Sequence, residues 1–223
     1  MEMAYSGHVE PGGPAATREL SDISISKLSV GDMDNNAYLL VCRNTGDATL
    51  IDAANDNERI LDLLGDGPER PRLRSIVTTH RHQDHWVALP AVAGMTGANL
   101  YAGAADADAL PVPTDVTLDH GSVVPLGDCE LEVISVRGHT EGSVALLYRD
   151  PAGSAHLFSG DSLFPGGPGK TGSPADFASL MDDLESRVFD MLPDDTWVYP
   201  GHGDDTTLGT ERPHLAEWRA RGW

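Results

Sequence analysis

Three histidines and one aspartate lie within six consecutive residues, in the pattern His-x-His-x-Asp-His. They are His80, His82, Asp84 and His85, and they directly follow the apolar, β-branched run 76–79. A run of that kind predicts a buried strand, so the four side chains stand at its end. Imidazole and carboxylate groups bind zinc, iron and manganese. The alternation allows His80 and His82 to reach one cation, while Asp84 and His85 reach a second.

Three more candidate ligands follow apolar runs further along the chain, and they are His139, Asp161 and His202. A glycine directly precedes each of them, and glycine permits the tight turns that bring a ligand close to a cation. Ligands on strand-end loops are held by a rigid scaffold and stay open to substrate. Together the five histidines and two aspartates are enough to hold two metals.

The ordered series His-x-His-x-Asp-His, Gly-His-Thr, Gly-Asp and Pro-Gly-His-Gly resembles the hydrolases of the metallo-β-lactamase fold. Within that family, the run 160–171, which includes Lys170 after a glycine-rich loop, is most similar to the glyoxalase II-like branch. The resemblance covers nearly the whole chain. It implies an α/β fold, a four-layer αββα sandwich in which two mixed β-sheets are flanked by helices.

The resemblance also assigns the metal ligands. It implies a first metal held by His80, His82 and His139, a second held by Asp84, His85 and His202, and Asp161 bridging the two. The expected cofactors are two divalent metals, with zinc favoured and iron and manganese as alternatives. Such a pair lowers the pKa of a shared water, so that hydroxide forms near neutral pH. Asp84 is expected to orient that water and take up its proton, as the catalytic residue.

Three residues are expected to support the site without binding metal. Asp52, at the end of the apolar run 49–52, is expected to accept a hydrogen bond from a ligand histidine, with a strand-end cap as the alternative. Thr140 is expected to hold the loop of His139, and ordinary turn chemistry explains it equally well. The resemblance implies that Lys170 contacts a substrate carboxylate, with a solvated surface lysine as the alternative.

The activity that the resemblance implies is hydrolysis of a small-molecule thioester of a low-molecular-weight thiol, or of a related ester. Gly172 stands where glyoxalase II carries an aromatic residue, and Ser143 stands where many relatives carry histidine. The tail after His202 is too short for the helical domain that grips glutathione there. Glutathione is therefore disfavoured as the thiol. A mononuclear iron persulfide dioxygenase of the same branch is the second hypothesis, and a non-catalytic metal-binding module is the third.

Composition restricts the possible binding partners and the cellular compartment. The formal net charge of −20 disfavours nucleic acid and anionic membranes, because both require a basic face. Most acidic residues, Asp106 among them, are expected on a solvated surface. No apolar run approaches the length of a membrane span. Cys42 and Cys129 lie in strand-like runs, which favours free thiols and a cytoplasmic location.

Chain length predicts one domain over residues 23–223, and the resemblance implies that it is a metallo-hydrolase domain. Residues 1–22 are polar and lack the basic start and apolar core of a secretory signal. A flexible N-terminal arm is therefore expected there, and a role in an edge contact or a homodimer stays open. A helix is expected over 174–192, with Ser173 as its N-cap and Pro174 at its first position.

Overall fold

The structure is a computed structural model, which describes residues 5–65, 67 and 70–222. Its first sheet contains β1 (Ala16–Glu19), β2 (Ile23–Val30), β3 (Asn35–Cys42), β4 (Asp47–Ile51), β5 (Arg72–Thr78), β6 (Asn99–Gly103) and β7 (Val116–Leu118). The strands lie side by side in chain order. Pairing is antiparallel from β1 to β4 and parallel from β4 to β7, so the sheet is mixed.

The second sheet contains β8 (Val123–Leu126), β9 (Cys129–Ser135), β10 (Val144–Arg149), β11 (Ala155–Gly160), β14 (Trp197–Pro200) and β15 (Thr206–Thr207). Its spatial order is β15-β14-β11-β10-β9-β8. Strands β11 and β14 are parallel, and the other neighbours are antiparallel. A separate two-stranded ribbon, β12 (Leu163–Phe164) and β13 (Gly167–Pro168), occupies part of the chain between β11 and β14.

Five α-helices accompany the sheets within the described ranges. They are α1 (Asn57–Asp62), α2 (Leu89–Thr96), α3 (Pro174–Asp183), α4 (Leu208–Glu211) and α5 (Leu215–Arg221). Ser173 caps α3 as predicted, because its Oγ accepts a hydrogen bond from the backbone N–H of Asp176 at 3.2 Å. Regular α-helix ends earlier than the sequence predicts. The chain continues as a π-helix over Leu184–Phe189, in which hydrogen bonds skip one more residue and widen the turn.

Successive side chains of a strand point to opposite faces of its sheet, and this alternation produces the four layers. In β5, Val77 faces the other sheet while its neighbour Ile76 packs with the side chains of α1 and α2. In β10, Leu146 joins the core between the sheets and Leu147 packs with the side chains of α3. All four side chains are at most 1% exposed. Strands that are covered on both faces have continuous apolar sequences. The structure confirms the predicted αββα sandwich with two mixed sheets.

Residues 5–22 correct the expectation of a flexible arm. Strand β1 pairs with β2 at the edge of the first sheet, and the Tyr5 hydroxyl donates to Asp205 Oδ2 at 2.7 Å. The fully buried Lys27 Nζ donates to the carbonyls of Gly7 and Gly203, at 2.8 and 2.6 Å, and to Asp205 Oδ1 at 2.7 Å. Composition misleads here because the segment is polar overall, although its Tyr5 and Leu20 pack against the core between the sheets. Residues 1–4 lie outside the described residues, and the single domain over 23–223 stays a prediction.

Cys42 and Cys129 are free thiols, as the sequence predicts. Cys42 is buried in the core between the two sheets, and Cys129 is half-buried against the same core. Within the described ranges, every helix falls short of the length and apolar character that a membrane crossing demands.

The N-cap of α3 gives a direct test of how this helix is held. Replacing Ser173 with alanine removes the acceptor for the Asp176 N–H, so we expect the free energy of unfolding to fall by about 1 kcal/mol. Urea denaturation followed by circular dichroism measures the change. Ser173→Asn restores a capping acceptor and serves as the control. Equal stability of the alanine variant and the parent would show that the cap contributes nothing here.

Candidate metal centre

The seven candidate ligands converge where strands of both sheets end. His80 and His82 follow β5 of the first sheet, and a single 3-10 turn, Gln83–His85, carries the next two ligands. His139, Asp161 and His202 follow β9, β11 and β14 of the second sheet. Because β11 and β14 are parallel neighbours, their carboxyl ends lie at the same edge of that sheet. The structure therefore brings together every metal ligand that the sequence predicts.

A first cluster joins His80, His82 and His139. His82 Nδ1 lies 2.9 Å from His139 Nε2, and His80 Nε2 lies 3.2 Å from the same atom. His80 is buried, whereas His82 is exposed. These three nitrogens can all face one cation, which is the first ligand set that the resemblance implies.

A second cluster joins Asp84, His85 and His202. His85 Nε2 and His202 Nε2 are 3.2 Å apart, and Asp84 Oδ2 lies 3.4 Å from the former and 3.3 Å from the latter. His85 is buried, and the other two are half-buried. Unlike the first cluster, this donor set mixes imidazole and carboxylate, and both groups suit borderline divalent cations.

Asp161 lies between the two clusters. Its Oδ1 is 3.4 Å from His85 Nε2, and its Oδ2 is 3.4 Å from His202 Nε2 and 3.6 Å from His139 Nε2. Asp161 Oδ1 is buried, and no residue in the described ranges gives it a hydrogen bond. One carboxylate thus reaches both ligand sets, and one of its oxygens has an unfilled acceptor position.

Outer hydrogen bonds fix which nitrogen points inwards in four of the five histidines, all except His82. His85 Nδ1 donates to Asp52 Oδ2 at 2.9 Å, His139 Nδ1 to the Lys170 carbonyl at 2.6 Å, and His202 Nδ1 to the Met33 carbonyl at 2.9 Å. The proton on Nδ1 leaves a lone pair on Nε2 in the neutral imidazole. His80 follows the same arrangement, with Nδ1 at 3.0 Å from Thr79 Oγ1.

Lone pairs therefore face one another across the centre at about 3 Å, as between His85 and His202. Such a contact is repulsive unless a proton or a metal cation lies between the two nitrogens. Imidazole nitrogens oriented by outer carbonyls and carboxylates are the usual arrangement around transition metals. The residues present fit two divalent cations, since the two clusters and the shared Asp161 supply complete nitrogen and oxygen donor sets.

The electrostatics of the cluster favour added positive charge. Burial opposes protonation of His85, but contacts with Asp161 and Asp52 raise its pKa to about 10. Burial keeps the pKa of His80 well below its usual range. Burial also disfavours the charge on Asp161, yet contacts with His202 and His85 hold its pKa far below the ordinary value. The carboxylate of Asp161 is therefore anionic and available to a cation.

Asp52 occupies the supporting place that the sequence predicts. It is 2% exposed and accepts hydrogen bonds from His85 Nδ1, from the Thr79 N–H at 2.7 Å and from Thr79 Oγ1 at 2.8 Å. Its φ of 57° lies in the left-handed region, which aspartate tolerates better than most residues. Asp52 thus fixes both the ring of His85 and the start of the loop that carries His80.

Asp106 corrects the expectation that it lies on a solvated surface. Its side chain is 1% exposed and accepts hydrogen bonds from the N–H groups of Arg81 and Gly142 and from the Thr140 hydroxyl. Ser143 Oγ accepts a hydrogen bond from the Thr140 N–H at 3.1 Å. Asp106 therefore joins the loop of His82 to the loop of His139, and Thr140 takes part in that link. The spacing in sequence gives no sign of this role.

Two glycines allow other backbone to approach Asp161 closely. A Cβ at Gly169 would lie 1.7 Å from the Asp161 carbonyl oxygen, and one at Gly201 would lie 2.1 Å from Asp161 Oδ1. Both distances are impossible, so no side chain fits at either position. Lys170, next to Gly169, contributes its carbonyl to His139 while its side chain is exposed.

Asn35 is a site residue that sequence reasoning misses. It is 2% exposed, and its Nδ2 donates to the Asp84 carbonyl at 3.1 Å and to Asp84 Oδ2 at 3.0 Å. Asn35 also forms an isolated backbone bridge with His202. Two consecutive asparagines at the start of an apolar strand are the signal that could have identified it.

Comparison with known proteins places this geometry in a family. The model of the metallo-beta-lactamase superfamily matches residues 30–202, which contain all seven candidate ligands. The chain therefore belongs to the metallo-beta-lactamase superfamily. Membership agrees with the two mixed sheets, the flanking helices and the ligands at the strand ends.

Individual relatives refine the comparison. Hydroxyacylglutathione hydrolase of Fuscovulum blasticum is 37% identical over 171 residues, which are 76% of this chain and 62% of that protein. The chain thus spans less than two thirds of that relative's length. ETHE1 from Myxococcus xanthus is 27% identical, with a TM-score of 0.74 over 88% of this chain and 84% of that one. TTHA1623, solved in a di-iron-bound form, is 30% identical, with a TM-score of 0.66 over 83% and 96%.

The hydrogen bond from His85 to Asp52 can be tested through metal affinity. Asp52→Asn keeps the shape and tolerates the left-handed backbone, but it weakens the acceptor that orients His85. We expect the affinity for a divalent metal to fall by roughly 10- to 100-fold. Competition with a chromogenic chelator measures this affinity, and Asp119→Asn, an exposed aspartate, is the matched control. Equal affinities of the two variants would remove Asp52 from the support of the site.

Proposed function

We propose that this protein is a metal-dependent hydrolase that cleaves a small-molecule thioester, or a related ester, with water. The observation that carries the proposal is the convergence of five imidazoles and two carboxylates on one centre, with Asp161 in contact with both clusters. The similarity to hydroxyacylglutathione hydrolase supports the thioester as substrate class. In the reaction, water adds to the carbonyl carbon, the carbon–sulfur bond breaks, and a carboxylic acid and a thiol leave.

His80, His82 and His139 would hold one metal, Asp84, His85 and His202 the other, and Asp161 both. Two such cations would polarise a carbonyl and lower the pKa of a bound water. We favour zinc because imidazole and carboxylate are its usual catalytic ligands. Iron is the alternative, because the similar protein TTHA1623 was solved in a di-iron-bound form.

Asp84 is the candidate for orienting water and accepting its proton. Its Oδ2 faces both His85 and His202 and also accepts a hydrogen bond from Asn35. The Asn35 Nδ2–H group donates to this oxygen and so orients the Asp84 carboxylate. A carboxylate held in place beside the second ligand set is suited to general-base catalysis.

The remaining features of the proposal concern compartment and assembly. Free Cys42 and Cys129 are typical of a reducing compartment, which supports a cytoplasmic location. The single hydrolase domain over residues 23–223 and a homodimer remain predictions. The high acidity supports a small molecule over nucleic acid as the partner.

The second candidate is a mononuclear iron persulfide dioxygenase. The likeness to ETHE1 supports this activity, at lower sequence identity than the likeness to hydroxyacylglutathione hydrolase. The second cluster favours hydrolysis, because Asp84, His85 and His202 are all in place and mutually close. A non-catalytic metal-binding module is the third candidate, and activity on any thioester would dismiss it.

Metal counting combined with a thioester panel separates these candidates. We expect about two metals per chain and hydrolysis by the parent protein, and loss of both metal and activity in Asp161→Ala, because one carboxylate serves both clusters. Elemental analysis and thiol release measure the two quantities, with Asp119→Ala as the exposed control. One iron per chain, oxygen uptake with a persulfide and no thiol release would establish the dioxygenase instead.

Lys170 is proposed to contact a carboxylate on the thiol portion of the substrate. Its side chain is exposed beside the first cluster, so Lys170→Ala should raise KM for a carboxylate-bearing thioester by roughly three- to fivefold. Metal content and kcat should stay close to those of the parent. Lys170→Arg keeps the charge and is the control. Unchanged KM in the alanine variant would exclude Lys170 from the substrate site.

A further inference from the structure

A buried carboxylate near the end of the chain holds the tip of the β12–β13 ribbon. Glu211, the last residue of α4, is 2% exposed. Its Oε2 accepts a hydrogen bond from the Gly166 N–H at 2.9 Å, and its Oε1 accepts one from the Thr206 hydroxyl at 2.6 Å. A buried carboxylate needs partners of this kind to offset its lost hydration. Glu211 therefore ties the ribbon to β15, the strand that carries Thr206.

The ribbon depends on outside contacts of this kind. Its two strands have two residues each, and a ribbon that short is not stable by itself. Gly166 lies in the turn between the strands with a φ of 86°, which glycine adopts without strain. Helix α5 also packs against the ribbon, because a Cβ built on Gly167 would lie 3.9 Å from Trp218 Nε1. The residues after His202 thus hold the ribbon in place.

The opposite end of the ribbon reaches the metal centre. Asp161 and Ser162 precede β12, and Gly169 and Lys170 follow β13. The Gly169 N–H donates to the Ser162 carbonyl at 3.1 Å, which keeps the two ends together. The Lys170 carbonyl accepts the hydrogen bond from His139 Nδ1. The position of the ribbon therefore sets the position of a group that orients one ligand of the first cluster.

We propose that Glu211 is a positioning residue for the first metal cluster. It belongs to neither ligand cluster and acts through the ribbon. Its carboxylate fixes Gly166, the ribbon carries this constraint to Lys170, and the Lys170 carbonyl fixes the ring of His139. The inference rests on the metal centre of the proposed function, and it adds the residues after β15 to the parts of the chain that support that centre.

The second cluster depends less on the ribbon. Asp52 orients His85 and the Met33 carbonyl orients His202, and both of these partners come from the part of the chain before β5. The contact between the ribbon and this cluster is looser, since the ring centroids of Phe164 and His202 are 6.3 Å apart. Loss of the carboxylate that holds the ribbon should therefore disturb the first cluster more than the second.

The test compares Glu211→Ala with the conservative variant Glu211→Gln in the zinc-loaded protein. Alanine removes the acceptor of the Gly166 N–H. Glutamine retains an acceptor in its amide oxygen, while its amide N–H can donate to Thr206 Oγ1. In the alanine variant we expect the Nδ1–H of His139 to exchange with water roughly fivefold faster, and that of His85 to exchange at the parent rate. NMR of protein with isotope-labelled histidine measures both rates.

Zinc affinity is the second measurement. Competition with a chromogenic chelator should show that one of the two zinc affinities falls by roughly three- to tenfold in Glu211→Ala, because an indirect support contributes less than the direct partner of a ligand. Glu211→Gln should match the parent. Thr206→Val removes only the second hydrogen bond of the carboxylate, so it should give the same pattern with a smaller effect. This milder variant carries the test if the alanine variant does not fold.

Ile23→Val is the control for general destabilisation. Ile23 is fully buried at the start of β2 and pairs with Cys42, at the opposite end of the β2–β3 pair from Asn35. The lost apolar volume should lower the melting temperature by about 3 °C. Histidine exchange and zinc affinity should match those of the parent, because the change lies far from the ribbon and from both clusters.

The outcomes separate this inference from the proposed function. Parent-like exchange of His139 in Glu211→Ala overturns the positioning role, and so does an equal effect in Ile23→Val. An equal loss in Glu211→Gln overturns the hydrogen-bond link to the ribbon. Failure of the parent protein to bind a divalent metal overturns both the proposed function and the inference. Metal binding without cleavage of any thioester overturns the proposed function and leaves the role of Glu211 in place.

Discussion

Nitrogen lone pairs that face each other across about 3 Å are the constraint on which the rest of the structure depends. His85 and His202 meet in this way, and His80 and His139 do the same. Four imidazoles are held in this arrangement by hydrogen bonds from their outer nitrogens. An arrangement that is unfavourable alone becomes favourable when a cation fills the centre, so the fold stores the geometry that binding needs. Preorganisation of this kind reduces the cost of ordering ligands when metal binds.

The outer hydrogen bonds come from different parts of the sandwich, which explains why both sheets are required. Asp52 follows β4 and Met33 lies between β2 and β3, both in the first sheet's half of the chain, whereas Lys170 follows the ribbon after β11. Asp106 links the loops from the two halves. Since the two sheets pack face to face through the central core, a shift between them would misalign both clusters at once. The core therefore supports the chemistry as well as the stability.

Sequence reasoning could select the seven candidate ligands, which the fold brings together, because they stand in short, ordered motifs at the ends of apolar runs. Asp52 could also be predicted from the sequence, since it ends a strand and the family pattern has an aspartate at that position. Asp106 and Asn35 were missed for a physical reason. A buried carboxylate and a surface carboxylate have the same letter in the sequence, and only the fold shows which donors surround it. The segment around β1 escaped notice because its few apolar residues, such as Tyr5 and Leu20, form no periodic pattern in the sequence.

The buried ammonium of Lys27 has a consequence for work with truncated forms. It is satisfied by one carbonyl from residue 7, one from residue 203 and the carboxylate of Asp205. A chain trimmed beyond Gly7 would leave a fully buried charge short of an acceptor, a defect that proteins tolerate poorly. The loss of this contact would affect residues 203 and 205, which closely follow His202 in sequence, although the deleted residues lie at the other terminus. Expression designs that shorten the amino terminus would thus disturb metal loading through an ion pair, without touching a single ligand.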